Sequence, residues 1–100
     1  MNVTINTEEG RILVKISGRI DTTTAGDFQN AINNLMTVAN PQIEVDCTEL
    51  EYTSSQGLRS FLILQKSVST NGGTLVLKNM RPSVKEIFDI TGFSSIMKIE

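Results

Sequence analysis

Apolar and polar positions alternate first with a period of two. Val3 and Ile5 alternate with polar neighbours, as do Ile12, Val14 and Ile16, the pattern of strands with one buried face. Glu8-Glu9-Gly10 suits a tight turn between them, so an antiparallel hairpin is predicted. After Gly18-Arg19-Ile20-Asp21 the period changes. Thr22, Thr23 and Thr24 offer capping hydroxyls, Asp27 lies in a first turn, and Phe28, Ala31, Ile32, Leu35 and Met36 follow helical spacing. Asn40-Pro41 stops that helix. Ile43, Val45 and Cys47 read as the next strand. Leu58, Phe61, Leu62, Gln65 and Val68 mark a second helix, with Leu64 widening its apolar face and Asn71-Gly72-Gly73 ending it. Leu75-Val76-Leu77 reads as a buried strand. Pro82 opens a third helix with Val84, Ile87 and Phe88 inward, and Gly92 closes it. Ser83 to Glu86 has the spacing of a capping box, and Ile96 to Ile99 forms a final short strand.

The predicted order is β-β-α-β-α-β-α-β, an α/β fold with a mixed sheet. It opens with an antiparallel hairpin and continues as βα units, its helices packed on the sheet. The pattern leaves open the strand order and whether every helix covers the same face. In such sheets, sites form beyond the carboxyl ends of the parallel strands. Asp21 follows the second strand, and Ser54 and Ser55 follow the third after a short loop, so both groups belong to one rim.

Length and composition narrow the function. The 100 residues suit one domain spanning residues 1–100, with no linker, low-complexity tract or internal repeat. Hydrophobic residues make up 39% and charged residues 20%, which indicates an ordinary globular chain. A net charge of -2, with signs interspersed, gives no electrostatic case for nucleic acid or an anionic membrane as main partner. The lone Cys47 sits in a strand-like run, where a buried thiol is expected. No basic-then-apolar leader or membrane-length apolar run occurs, so a cytoplasmic location is the default expectation.

Most catalytic chemistry lacks parts. There is no histidine, hence no Ser-His-Asp or Cys-His arrangement. One cysteine and scattered carboxylates make a poor zinc set, and no G-x-G-x-x-G or phosphate-loop pattern occurs. Asp46, expected at a strand end, reads as a solvated or hydrogen-bonded carboxylate. The expectation is a non-enzyme without metal or cofactor. The segment Tyr52-Thr53-Ser54-Ser55-Gln56-Gly57-Leu58-Arg59 survives this filter. It places two hydroxyls before a helix. A hydroxyl there can cap the helix, Ser55 being the N-cap in that reading. It can also carry a phosphate, because amide donors and the macrodipole favour negative charge. Gly57 would let another molecule, or a neighbouring loop, approach closely. Arg59, four residues after Ser55, is either a solvated arginine or a partner for a phosphate there.

These residues resemble the STAS family, and within it the free-standing bacterial anti-sigma factor antagonists. Gly18-Arg19-Ile20-Asp21 is similar to the family's Gly-x-Leu/Ile-Asp, and Asp46-Cys47-Thr48-Glu49-Leu50 to its Asp-Leu-Ser-x-Leu. Tyr52 to Leu58 is similar to its aromatic-x-Asp/Ser-Ser-x-Gly-Leu. Pro82 to Phe93 is similar to its Pro-x-Val-x-x-Ile/Leu-Phe-x-x-Thr/Ser-Gly-Leu/Phe. The four motifs run in order over essentially the whole chain. The resemblance implies partner switching. The unmodified antagonist binds an anti-sigma factor that is also a serine kinase, phosphorylation releases it, and a metal-dependent serine phosphatase resets it. By position the acceptor is Ser55, and Asp21, Thr22, Thr23, Ser54, Gln56, Gly57, Leu58 and Arg59 belong to the partner-facing rim. Two positions depart from the pattern: Ser54 stands where Asp is frequent, adding a second candidate hydroxyl, and Gln56 stands where a small residue is common. The alternative implied by the same resemblance is an unphosphorylated scaffold or ligand-sensing module.

Overall fold

A computed structural model describes all residues from Met1 to Glu100. Its elements are β1 (Asn2–Glu8), β2 (Arg11–Ile20), α1 (Ala25–Ile32), β3 (Gln42–Thr53), α2 (Ser55–Thr70), β4 (Thr74–Lys78), α3 (Pro82–Ile90) and β5 (Lys98–Ile99). This is the expected order. The opening turn is Glu9-Gly10, with φ of 48° and 79° and Glu8 paired to Arg11. Positive φ at both central residues matches the twist of the flanking strands.

The five strands lie in chain order, β1-β2-β3-β4-β5. Only β1 and β2 run antiparallel; the remaining neighbours pair in parallel. Parallel strands in chain order, joined by crossovers of one hand, put every helix on the same face. Burial follows that geometry. Ile12, Val14 and Ile16 of β2, Ile43, Val45 and Cys47 of β3, and Leu75 and Leu77 of β4 are buried with the helix residues Phe28, Ile32, Phe61, Leu64, Val68, Val84 and Phe88. Phe61, at the middle of α2, joins the outer helices. Its ring centroid lies 4.9 Å from Phe28 of α1 and 5.5 Å from Phe88 of α3, edge to face, geometry that adds to area burial.

The opposite face carries polar residues and an ion-pair ladder of alternating sign. Glu44 lies 2.8 Å from Arg11 and 2.9 Å from Lys78, and Glu100 lies 3.2 Å from Lys98. Lys78 Nζ above all, and then Arg11, holds the Glu44 carboxyl below its usual range.

Several boundaries differ from the sequence reading. The first helix is α-helical only to Ile32; Asn33–Thr37 continue as a 3-10 turn that still buries Leu35. The third strand does not end near Cys47 but runs to Thr53. Its alternation is interrupted twice. Lys15 and Ser17 face Asp46 and Glu49, and Gly18 and Arg19 face Leu50 and Tyr52, so β3 carries an extra residue at each step, as at β-bulges. Asp46 is therefore mid-strand. Its Oδ1 accepts from the Thr48 amide at 3.0 Å and from the Thr48 hydroxyl, which lowers its pKa. The final strand is only Lys98–Ile99, after a 3-10 turn at Phe93–Ser95. No capping box forms at Ser83: the N-cap is Arg81, and Pro82 takes the first helical position.

Candidate functional site

The carboxyl ends of β2 and β3 meet directly. Ile20 is the parallel partner of Thr53, and the Ser54 amide donates to the Ile20 carbonyl at 2.7 Å. The loop after β2 and the start of α2 are thereby fastened together. Strand adjacency, which the sequence left open, brings Asp21 and Ser55 to one rim.

On the β2 side, Asp21 organises the turn. Its Oδ1 accepts from the Thr23 hydroxyl at 2.7 Å and amide at 3.0 Å. It also accepts from the Thr24 amide at 3.2 Å and takes a longer share, at 3.2 Å, of the one Thr24 hydroxyl proton. The Thr23 hydroxyl, its amide and then the Thr24 donors hold the Asp21 carboxyl below the usual range. The expectation that threonine hydroxyls cap α1 is corrected here. Thr24 occupies the N-cap position without a side-chain cap bond; its hydroxyl instead donates to the Arg19 carbonyl at 2.8 Å and accepts from the Asp21 amide at 2.9 Å. Thr22 and Thr23 are exposed.

On the β3 side, Ser54 and Ser55 take different tasks. The N-cap is Ser54, not Ser55: Ser54 Oγ accepts from the Gly57 amide at 3.2 Å. Ser54 is 9% exposed. Ser55 occupies the first helical position, is exposed, and its hydroxyl bonds to nothing else in the chain. No loop intervenes between strand and helix. The capping function thus needs Ser54 alone and leaves the Ser55 oxygen to solvent at a site where helix amides and dipole favour negative charge.

Gly57 and Leu58 lie beneath the rim rather than on it. A Cβ on Gly57 would come within 2.3 Å of Thr53 Oγ1 and 2.7 Å of Ile20 Cγ2. The glycine therefore serves the internal contact of α2 with the two strand ends, not the approach of another molecule. Leu58 is 3% exposed and belongs to the core. Gln56 and Arg59 are exposed on α2.

Two features escaped sequence reading. Arg19 lies with its guanidinium carbon 4.5 Å from the centroid of the Tyr52 ring, a cation–π pair just below the rim. The two are cross-strand partners only because of the β3 bulges, so no local signal announces them. The second is a groove between α1 and α2, lined in part by Thr22, Gln29, Gln56, Arg59 and Ile63. Cys47 is fully buried, and burial, reinforced by the Asp46 charge, pushes its thiol up to about 12.

Comparison with known proteins agrees with this architecture. Residues 2–100 match the STAS domain, and the chain belongs to the STAS family. It is 30% identical over 103 residues to the anti-sigma-B factor antagonist of Listeria monocytogenes, covering 100% of this chain and 90% of that protein. It is also 30% identical over 99 residues to the anti-sigma-B factor antagonist of Bacillus subtilis, covering 99% and 90%. Among solved structures, the anti-sigma factor antagonist SpoIIAA in its unphosphorylated form superposes with a TM-score of 0.79 at 16% identity, covering 99% of this chain and 88% of that one. The phosphorylated form of SpoIIAA from Bacillus gives 0.73, likewise at 16% identity, over 99% and 91%. These two likenesses show the fold.

Proposed function

We propose that this STAS-family chain is an anti-sigma factor antagonist that works by partner switching, with Ser55 as its phosphorylation site. Its curated relatives named above are anti-sigma factor antagonists. The observation that carries the residue assignment is the division of labour at the start of α2. Ser54 is buried and engaged in the cap, whereas Ser55 is exposed and unengaged. A kinase needs a reachable hydroxyl, and of the two only Ser55 offers one. The unmodified rim, with Asp21, Thr22, Thr23, Gln56 and Arg59 beside Ser55, binds the anti-sigma factor. Ser54, Gly57 and Leu58 hold that rim in shape from below.

In this reading the anti-sigma factor is also the ATP-dependent serine kinase, and a metal-dependent serine phosphatase restores the binding form. A phosphoryl group on Ser55 adds about -1.5 to -2 charge. The helix start accommodates it, because Ser55 is exposed and the hydroxyl proton it replaces is donated to no other group of the chain. An apposed protein surface does not, through desolvation and like-charge repulsion. The domain stays folded and the complex separates.

The test is phosphorylation and capture in parallel. Wild type, Ser55→Ala, Ser54→Ala and Ser55→Asp chains serve as bait in source-organism lysate, and the captured anti-sigma kinase is then purified and given ATP. Phosphate transfer to wild type and Ser54→Ala, none to Ser55→Ala, and loss of capture by Ser55→Asp are expected. Equal capture by wild type and Ser55→Asp would overturn the switch.

A further inference from the structure

The groove between α1 and α2 is lined from Gln56, the residue after Ser55, onward along α2 and measures about 520 Å³. Thr22, Ala25 and Gln29 line one side; Gln56, Arg59 and Ile63 line the other. Its lining contains one cation and no carboxylate. Arg59 is exposed, and every ion pair of the chain is made by other residues. The donors of Arg59 are thus free to pair with an oxyanion brought to the groove. Ile63, one turn further along α2, is 42% exposed. Together they ask for a segment bearing a carboxylate and, about one turn away, an apolar side chain.

Arg59 also stands four residues after Ser55. Helical side chains lean towards the N-terminus and cover the preceding turn, and residues at this spacing are neighbours, with Cβ atoms roughly 5–6 Å apart. The Arg59 side chain is therefore placed to meet an anion from either of two directions, from an occupant of the groove or from a phosphate added to Ser55.

Resting on the antagonist reading above, we propose that Arg59 is the docking charge for an acidic, apolar-flanked segment of the anti-sigma factor, and that phospho-Ser55 releases this partner by capturing Arg59. A side chain turned back along its own helix to pair bidentately with the Ser55 phosphate is turned away from an occupant of the groove. The phosphate carries more charge than a carboxylate, and its attachment to the same helix gives it an effective concentration of about millimolar or above. Capture thus withdraws the only cation of the groove at the moment the phosphate adds its own repulsion.

The test uses the full chain with phosphoserine incorporated at position 55, or unmodified, each as wild type, Arg59→Gln and Arg59→Lys, titrated against the purified anti-sigma factor captured above. Arg59→Gln should weaken the unmodified chain about tenfold, with Arg59→Lys between, as expected for a charge pair at an interface. Phosphorylation should then cost the Arg59→Gln chain a several-fold smaller further loss than it costs wild type. Independently of any partner, the Arg59 Nε–H resonance should shift and exchange more slowly with water in the phosphorylated chain. Equal binding by wild type and Arg59→Gln, or an unmoved Arg59 resonance, overturns the capture while leaving the antagonist reading standing. Absence of binding by the unmodified wild type overturns the antagonist reading itself, and this inference with it. An Arg59-dependent dimer of the chain alone in sedimentation would assign the groove to a second copy and overturn the partner assignment.

Discussion

Alanine in place of Gly57 tests the way the site is held. The new Cβ would sit 2.3 Å from Thr53 Oγ1 and 2.7 Å from Ile20 Cγ2, well inside contact distance. Neither neighbour can withdraw, since Thr53 is 1% and Ile20 0% exposed, and the Thr53 hydroxyl donates to the Ser54 carbonyl at 3.2 Å. Forcing one methyl into such packing costs about 1–3 kcal/mol. Against this stands the helical preference for alanine over glycine, at most ~1 kcal/mol and less in a first turn. A net loss of about 1–2 kcal/mol is expected from these two terms. The control is Gly26 of α1, where a Cβ would meet nothing within 4 Å. Gly26→Ala, likewise in a first turn, should stabilise by a smaller amount, up to about 0.5 kcal/mol. Urea titrations of both variants should move the midpoint in opposite directions at unchanged slope. In thermal melts Gly57→Ala should fall by at least about 4 °C. A stabilised Gly57→Ala would refute the claim that α2 packs directly onto the paired ends of β2 and β3.

Other outcomes follow from the same geometry. Ser54→Ala should destabilise by about 1 kcal/mol through loss of the cap, whereas Ser55→Ala should lie within about 0.5 kcal/mol of wild type; chemical denaturation of the pair distinguishes them. Cys47 should resist a disulfide reagent at pH 8 in the folded protein and react fully in denaturant, since burial holds its thiol up to about 12. Rapid native labelling would contradict that burial. The Asp21 carboxyl is depressed by its Thr23 and Thr24 donors, so its stabilising contribution is complete above the unfolded carboxylate value and is lost as pH falls through the lower folded value. Asp21→Asn should flatten stability in that acidic window only, read as denaturation midpoint against pH. Phe61→Ala should cost about 3–5 kcal/mol, because the ring bridges Phe28 and Phe88.

The periodicities determined much of this molecule. A period of two in residues 3–16, then apolar steps of three and four from Phe28 and from Leu58, are local properties, and each element buries the face that its own spacing supplies. Element order and the parallel character of the later pairing follow from them, as does the placing of hydroxyls at the start of α2. The motif set from Gly18 to Phe93 pointed to the family for the same reason, being made of short local patterns.

What the tertiary structure decided is everything that depends on registration between distant segments. The extra residues in β3 break its alternation after Cys47, so its last six residues do not read as strand until Arg19 and Tyr52, and Ile20 and Thr53, are seen as partners. That registration sets Thr53 against α2 and makes Gly57 a packing glycine. With the strand running directly into the helix, the N-cap falls on Ser54. One residue of register therefore separates a buried capping serine from an exposed free one. Two adjacent serines have equal propensity to cap, and only the strand that precedes them fixes which carbonyl and which amide each one meets.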